Sequence, residues 1–236
     1  MVTSSASVPT ASAVKPSHDT RGFWRILLAV LAPLPWVARA VYYAIMPDST
    51  GTFRDLVVWN AAHPNTYATL QWLDAAFVML IVPAAFTVAW VARRGAPRLA
   101  TIGALLLIAG FLGGIGLNVN DDRLAYTAAA HHFDPAVIAQ LDTALQNNPV
   151  TGLGGLLFIC GLVIGSVLLG IALWRSHAAP AWAGIALAVG GFTHPFLPGP
   201  TPTAIGLLIV AIGFGAASIA LLRTNNDDFD LPPARV

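Results

Sequence analysis

The 236-residue chain is 56% hydrophobic and only 10% charged, with a mean hydropathy of +0.71. Soluble domains carry about 25% charged residues, so this composition excludes an ordinary water-soluble domain. A formal net charge of +1, with the basic residues dispersed along the chain, also excludes the basic patch that a nucleic-acid partner requires.

The apolar runs predict an all-α fold: a polytopic membrane helix bundle of six transmembrane helices, with two short amphipathic surface helices on the outer face. Residues 1–20 are expected to be a flexible cytoplasmic tail, because their Ser, Thr, Ala and Pro offer too little apolar content to fold. The membrane domain covers 21–223, and 224–236 form a second cytoplasmic tail that is acidic from Asp227 to Asp230. Spans are expected at 22–46, 68–91, 99–117, 152–174, 181–196 and 203–222. Crossing a bilayer takes about 20 apolar residues, and the fifth span is the shortest. The first can also be read as a signal peptide, with a basic region from Lys15 to Arg25 and a cleavage site at Ala38-Arg39-Ala40. Pro33, Pro35 and an apolar run continuing from Val41 to Met46 argue for a retained helix instead.

After the first span, Thr52 is a candidate cap for a surface helix carrying Phe53, Leu56 and Val57. Before the fourth, Asp134 and Pro135 start another, whose Val137, Ile138, Leu141 and Leu145 share one face. An offset of 81 residues places Arg94 on Arg175, Gly103 on Gly184, Gly110 on Gly191 and Phe111 on Phe192. These matches suggest a parallel repeat, 53–117 and 137–196, of surface helix, inward span, Arg-containing turn and outward span. Gly110 with Gly114, and Gly161 with Gly165, have the spacing that lets helix backbones approach, either inside the bundle or against a homo-oligomeric or membrane partner. Cys160 is the single cysteine, which excludes an intrachain disulfide and a multi-cysteine metal centre, and it is expected to fill a helix interface.

Nine of the twelve basic residues fall on one side of this layout: Lys15, Arg21, Arg25, Arg93, Arg94, Arg98, Arg175, Arg223 and Arg235. Basic residues are retained on the cytoplasmic side, so both termini are expected there, in a multi-pass protein of the plasma membrane. Trp24, Trp90, Trp174 and Trp182 would form the inner aromatic belt, and Tyr42, Tyr43, Tyr67 and Trp72 the outer one.

Arg39 lies within the first span and Asp74 within the second, where a charge costs several kcal/mol unless paired or hydrated. Counting residues from the span ends puts both about 10 to 13 Å below the outer surface, at a rise of about 1.5 Å per residue. An ion pair between them is geometrically allowed, either as a register lock or as the floor of an outward cavity. Asn118, Asn120, Asp121 and Asp122 stand where the third span emerges, and His194 ends the fifth. The candidate ligand-binding residues are Arg39, Asp74, Asn118, Asp121 and His194. His63, His131, His132 and His194 with Asp121 or Asp122 have metal-donor chemistry but no diagnostic spacing, so no metal or other cofactor is assigned. Asp74 is also the candidate catalytic residue, because a carboxyl group removed from water can act as a general acid, as in membrane terpene cyclases. Those enzymes offer two deep acidic residues, whereas this chain contains no Glu and places only Asp74 at depth.

The phrases Ile171-Ala-Leu-Trp-Arg-Ser176, Pro180-Ala-Trp-Ala-Gly184 and Ala92-Arg-Arg-Gly-Ala-Pro-Arg98, with a surface helix ending at Asn148-Pro149, resemble the six-span actinobacterial integral membrane proteins of unknown function. The resemblance covers about residues 55 to 222. It implies a six-helix bundle in the plasma membrane and supplies no catalytic residues. Three functions follow from the residues. The first is binding or moving a small or lipophilic ligand through an outward-facing polar cavity. The second is intramembrane catalysis on a lipid or isoprenoid by Asp74. The third is a structural subunit of a membrane complex. Membrane lipid is the expected partner in each. Nucleotide-driven transport within this chain is unsupported, since no Gly-rich phosphate loop ending in Lys-Ser or Lys-Thr occurs.

Overall fold

A computed structural model describes residues 19–47, 52–117 and 121–229, with the Asp121 side chain outside the description. The described residues form an all-α bundle of eleven helices and no strand. They are α1 (Arg21–Leu31), α2 (Leu34–Ile45), α3 (Phe53–Ala62), α4 (Pro64–Ala92), α5 (Pro97–Leu117), α6 (Asp121–Ala130), α7 (Pro135–Gln146), α8 (Pro149–Ser176), α9 (Ala181–Phe196), α10 (Pro200–Arg223) and α11 (Asn226–Phe229).

Local chemistry sets most boundaries. Thr52 and Asp55 form a capping box that starts α3. Asp134 accepts from the Ala136 amide at 2.9 Å to start α7, and Asn148 accepts from Val150 at 2.9 Å to start α8. Each is followed by a proline at the first helical position, where the missing amide costs nothing. The first expected span is two helices, because Pro33 and Pro35 remove two amides and the chain turns at Ala32 and Pro33. Pro83 lies inside α4 without ending it, and one turn on Thr87 donates its hydroxyl to the Pro83 carbonyl at 2.8 Å and sits 3.2 Å from the Leu28 carbonyl of α1.

Five segments are long and apolar enough to cross a membrane: Arg21–Ile45, Pro64–Ala92, a stretch beginning at Pro97 that contains α5, Pro149–Ser176 and Pro200–Arg223. The segment expected as the fifth span, α9, has the boundaries anticipated but only 16 residues, about 24 Å of helix. The long helices close a ring in chain order, α2 on α4, α4 on α5, α5 on α8, α8 on α9, α9 on α10 and α10 back on α2, while α4 also reaches α8 and α10. Large apolar side chains such as Met79, Leu105, Ile185 and Ile212 are exposed on these helices. This pattern supports a membrane location, since water would penalise it and lipid does not.

Glycine decides the closest approach in the ring. A Cβ on Gly110 would stand 2.5 Å from the Gly161 Cα and 2.6 Å from the Leu157 carbonyl, and one on Gly165 would meet the Leu107 amide at 2.7 Å. These glycines therefore pack α5 on α8 inside the chain. Cys160, beside Gly161, is exposed on the surface of α8 rather than filling an interface as expected.

One end of the ring gathers both ends of the described chain. Arg93 donates to the Phe229 carbonyl at 2.7 Å, Arg21 to the Asn226 carbonyl at 3.3 Å, and Arg25 to the Thr224 carbonyl. Asn226 donates to Asp19 at 3.0 Å, and Phe229 is buried against Trp90 with ring centroids 5.4 Å apart. Residues 226–229, expected as part of a tail, thus form a docked helical turn. The other end carries α3, α6 and α7, packed together and resting on α4 and α8. Two surface helices were expected there. The third, α6, arises because Ala125, Ala128 and Ala129 bury one face against Leu56 and Val57 of α3.

Candidate functional site

Where α2, α4, α5, α6, α8 and α9 converge below this cap, a cavity of about 340 Å³ is lined by Arg39, Asp74, Phe77, Val78, Phe111, Gly114, Ile115, Arg123, Phe158 and His194. Its polar groups meet at one place. Arg39 Nη1 donates to Asp74 Oδ1 at 2.8 Å, and Arg123 Nη2 reaches Asp74 Oδ2 at 3.4 Å. One carboxylate is shared by two guanidinium groups, one oxygen to each. Arg39 and Asp74 expose only 14% and 10% of their side chains, whereas Arg123 exposes 53%. The inner pair is therefore shielded and the outer arm is wet.

The rest of the Arg39 environment holds the guanidinium in a fixed plane. Its Nε donates to His194 Nε2 at 3.3 Å, which leaves the imidazole proton on Nδ1. Nη2 lies 3.5 Å from the Tyr43 hydroxyl. The Tyr42 ring lies 4.2 Å below its central carbon and the Phe77 ring 5.4 Å away, so aromatic faces solvate the charge where water does not. His194 is wedged among Tyr43, Phe77 and Phe158. Below the polar cluster, Phe77, Phe111 and Phe158 stack in sequence with centroids 4.9 and 5.5 Å apart and form an apolar wall.

Of the residues singled out from sequence, Arg39, Asp74 and His194 come together in this cavity. Asn118 lies outside the described residues, and the Asp121 side chain likewise. Asp122, weighed as an outer polar residue and as a metal donor, accepts from the Tyr42 hydroxyl. Tyr42 and Tyr67 are each 1% exposed, a correction to the outer aromatic belt. Tyr42 faces Asp122 and Arg39, while Tyr67 stacks on Tyr126 at 4.9 Å and accepts from Gln71 at 2.8 Å. Buried hydroxyls that have found partners gain nothing from the headgroup region. The histidines weighed as metal donors are dispersed, His63 over Trp59 and His131 against Phe133. Among the described residues no group of three His, Cys, Asp or Glu is placed to hold a metal.

Sequence reasoning missed Arg123 and the phenylalanine wall. Arg123 reads as a loop charge until α6 folds it back over Asp74. A usable signal was its place two residues into a run whose alanines at 125, 128 and 129 recur at helical spacing. Phe77, Phe111 and Phe158 carry no such signal, because a cavity wall and a lipid face have the same composition. No protein family, curated protein or solved structure matches the chain.

Proposed function

We propose that this chain is a multi-pass plasma-membrane protein that binds or moves a small or lipophilic ligand through an outward-facing polar cavity. The observation that carries the reading is the joining, in one cavity of about 340 Å³, of a shared Arg39, Asp74 and Arg123 cluster with a wall of three phenylalanines. Ligand pockets combine a mostly apolar wall with a few convergent polar groups, typically in about 300 to 1,000 Å³. A pair serving only as a register lock would need no space beside it.

The orientation rests on charge. Arg21, Arg25, Arg93, Arg94 and Arg175 cluster at the end that gathers both ends of the described chain, which supports a cytoplasmic location for that end and an outward direction for the cavity. Six crossings are part of this proposal. Helix α9 is short, but its Gly184 lies against Gly170 near the inner end of α8 and its His194 touches Arg39 near the outer end. It therefore runs beside its neighbours from near the inner end of α8 to the level of Arg39, which supports counting it as a crossing. An enzymatic role for Asp74 is the weaker reading, since both of its oxygens already accept from arginine rather than face the cavity as donors.

Native mass spectrometry of the detergent-purified protein tests the proposal, with wild type beside Asp74→Asn and the cavity-filling Val78→Phe. A defined small mass that accompanies the wild type and is lost from Val78→Phe supports the reading. Identical spectra from all three proteins, with stability changed only in Asp74→Asn, would assign the cluster a structural role.

A further inference from the structure

The three short helices above the cavity hold together through a small core of their own. Leu56 and Val57 of α3 are buried with Ala125, Ala128 and Ala129 of α6, and Phe53 of α3 and Ile138 of α7 pack against them. That cluster is separate from the core of the ring, which is built on residues such as Trp36, Phe77, Phe111 and Phe214. Apolar burial therefore binds the cap mainly to itself. Its hold on the ring is of another kind. The Tyr42 hydroxyl donates to Asp122, Arg123 reaches Asp74 at 3.4 Å, and Tyr126 stacks on Tyr67 with centroids 4.9 Å apart. Residues 122, 123 and 126 lie within about one turn of α6. Trp59 of α3 adds an aromatic contact to the same outer cluster of Tyr42, Tyr67 and Leu70. Of the residues lining the cavity, Arg123 is the one that the cap contributes.

We propose that α3, α6 and α7 form a lid over the cavity, latched through α6 by Asp122 on Tyr42, Arg123 on Asp74 and Tyr126 on Tyr67, and that ligand enters when this latch opens. This rests on the cavity reading above and specifies how access to that site is controlled. Polar contacts suit a latch, because water takes the partner's place when they part, whereas an apolar interface has no such substitute. The joints suit a hinge. Helix α3 gives way to α4 at His63, whose φ of −130° and ψ of 55° are not helical, and α7 gives way to α8 through Asn147 and Asn148. Pro64 and Pro149 come next, and neither has an amide to carry helical bonding across the joint. Hinges lie at such element-terminal residues, which absorb the backbone change while the helices on either side stay whole.

The test uses the full chain with Cys160→Ser in lipid nanodiscs. Spin labels are placed on a pair between cap and ring, Thr127→Cys with Thr201→Cys, and on a pair within the cap, Val58→Cys with Thr143→Cys, all at exposed positions. Distances are read by double electron–electron resonance. The latch is weakened by Tyr42→Phe, which keeps the aromatic face beneath Arg39 and removes the hydroxyl from Asp122, and separately by Tyr126→Ala, which removes the stack. Each should raise the population of a longer distance between cap and ring about fivefold, while the distance within the cap stays as it was. Labelling of an Ile115→Cys reporter on the cavity wall by an impermeant maleimide should speed up by the same factor. Unchanged distances in both variants make the cap a fixed roof and overturn the proposal. Broadening of both pairs means that the cap melts rather than swings, and overturns it equally. A longer distance between cap and ring without faster labelling of Ile115→Cys separates the movement from the cavity and sinks the entry route. Neither readout needs a ligand, so each fails or succeeds independently of the mass-spectrometric test of the cavity reading.

Discussion

Asp74 is the residue whose loss should reveal how the polar cluster is held. Asp74→Asn keeps the shape and removes the carboxylate that Arg39 and Arg123 share. Breaking a buried ion pair by removing one partner costs about 3–5 kcal/mol, because the remaining charge is left without compensation. Here the two inner side chains retain 10% and 14% of their exposure, and the cavity beside them admits water, so the lower end, about 3 kcal/mol, is expected. The two arginines should not share this equally. Arg39 lies 2.8 Å from the carboxylate and is shielded, whereas Arg123 lies at 3.4 Å with half its side chain in solvent. A double-mutant cycle of Asp74→Asn with Arg39→Gln should give a coupling of about 1–2 kcal/mol. The cycle with Arg123→Gln should give about 0.5 kcal/mol or less, the range of exposed pairs. The cycle removes the aromatic contacts of Arg39 from the comparison, since those are lost in both arms. The assay is reversible unfolding in mixed micelles, read by tryptophan fluorescence. Equal couplings, or a larger one for Arg123, would refute the picture of a shielded pair with a wet outer arm.

Four further outcomes follow from the packing. Gly110→Ala should destabilise by about 1–3 kcal/mol, because its Cβ would meet backbone atoms of α8 at 2.5 Å, while Gly155→Ala, with open space around it, should be neutral or slightly stabilising; unfolding of both variants in the same micelles makes the comparison. Phe229→Ala should free residues 226–229 from Trp90 without unfolding the ring, seen as faster amide exchange in that turn alone, since contacts at a chain end open locally. Cys160, exposed on the midsection of α8, should resist an impermeant maleimide in membranes and react once the protein is unfolded in aqueous denaturant, since the reacting thiolate needs water around it. Asp19, hydrogen-bonded first by the Arg21 side chain and then by its amide, titrates at about 2 instead of 3.8. A depressed carboxyl pKa contributes above the ordinary value and is lost as pH falls through about 2, so an NMR titration of Asp19 should show its midpoint there.

The positions of the long helices, their caps and the shared level of Arg39 and Asp74 were legible along the chain because each is one-dimensional. A bilayer interior without water demands a run of apolar residues of set length, so the long helices lie where the hydropathy puts them. Asp134, Asn148 and Thr52 cap their helices because those side chains reach the amides two or three residues on, whatever the fold. Arg39 and Asp74 fall at one level because a constant rise per residue converts position into depth. What surrounds each helix was not legible. In lipid the outward and inward faces are both apolar, so the period that marks a buried face in water is silent, and Cys160 and Gly161 give no sign of which one faces out. The same silence hid the phenylalanine wall. The folding of α6 over the ring and the meeting of Arg123 with Asp74 depend on residues far apart in sequence, whose contact only the packed bundle decides.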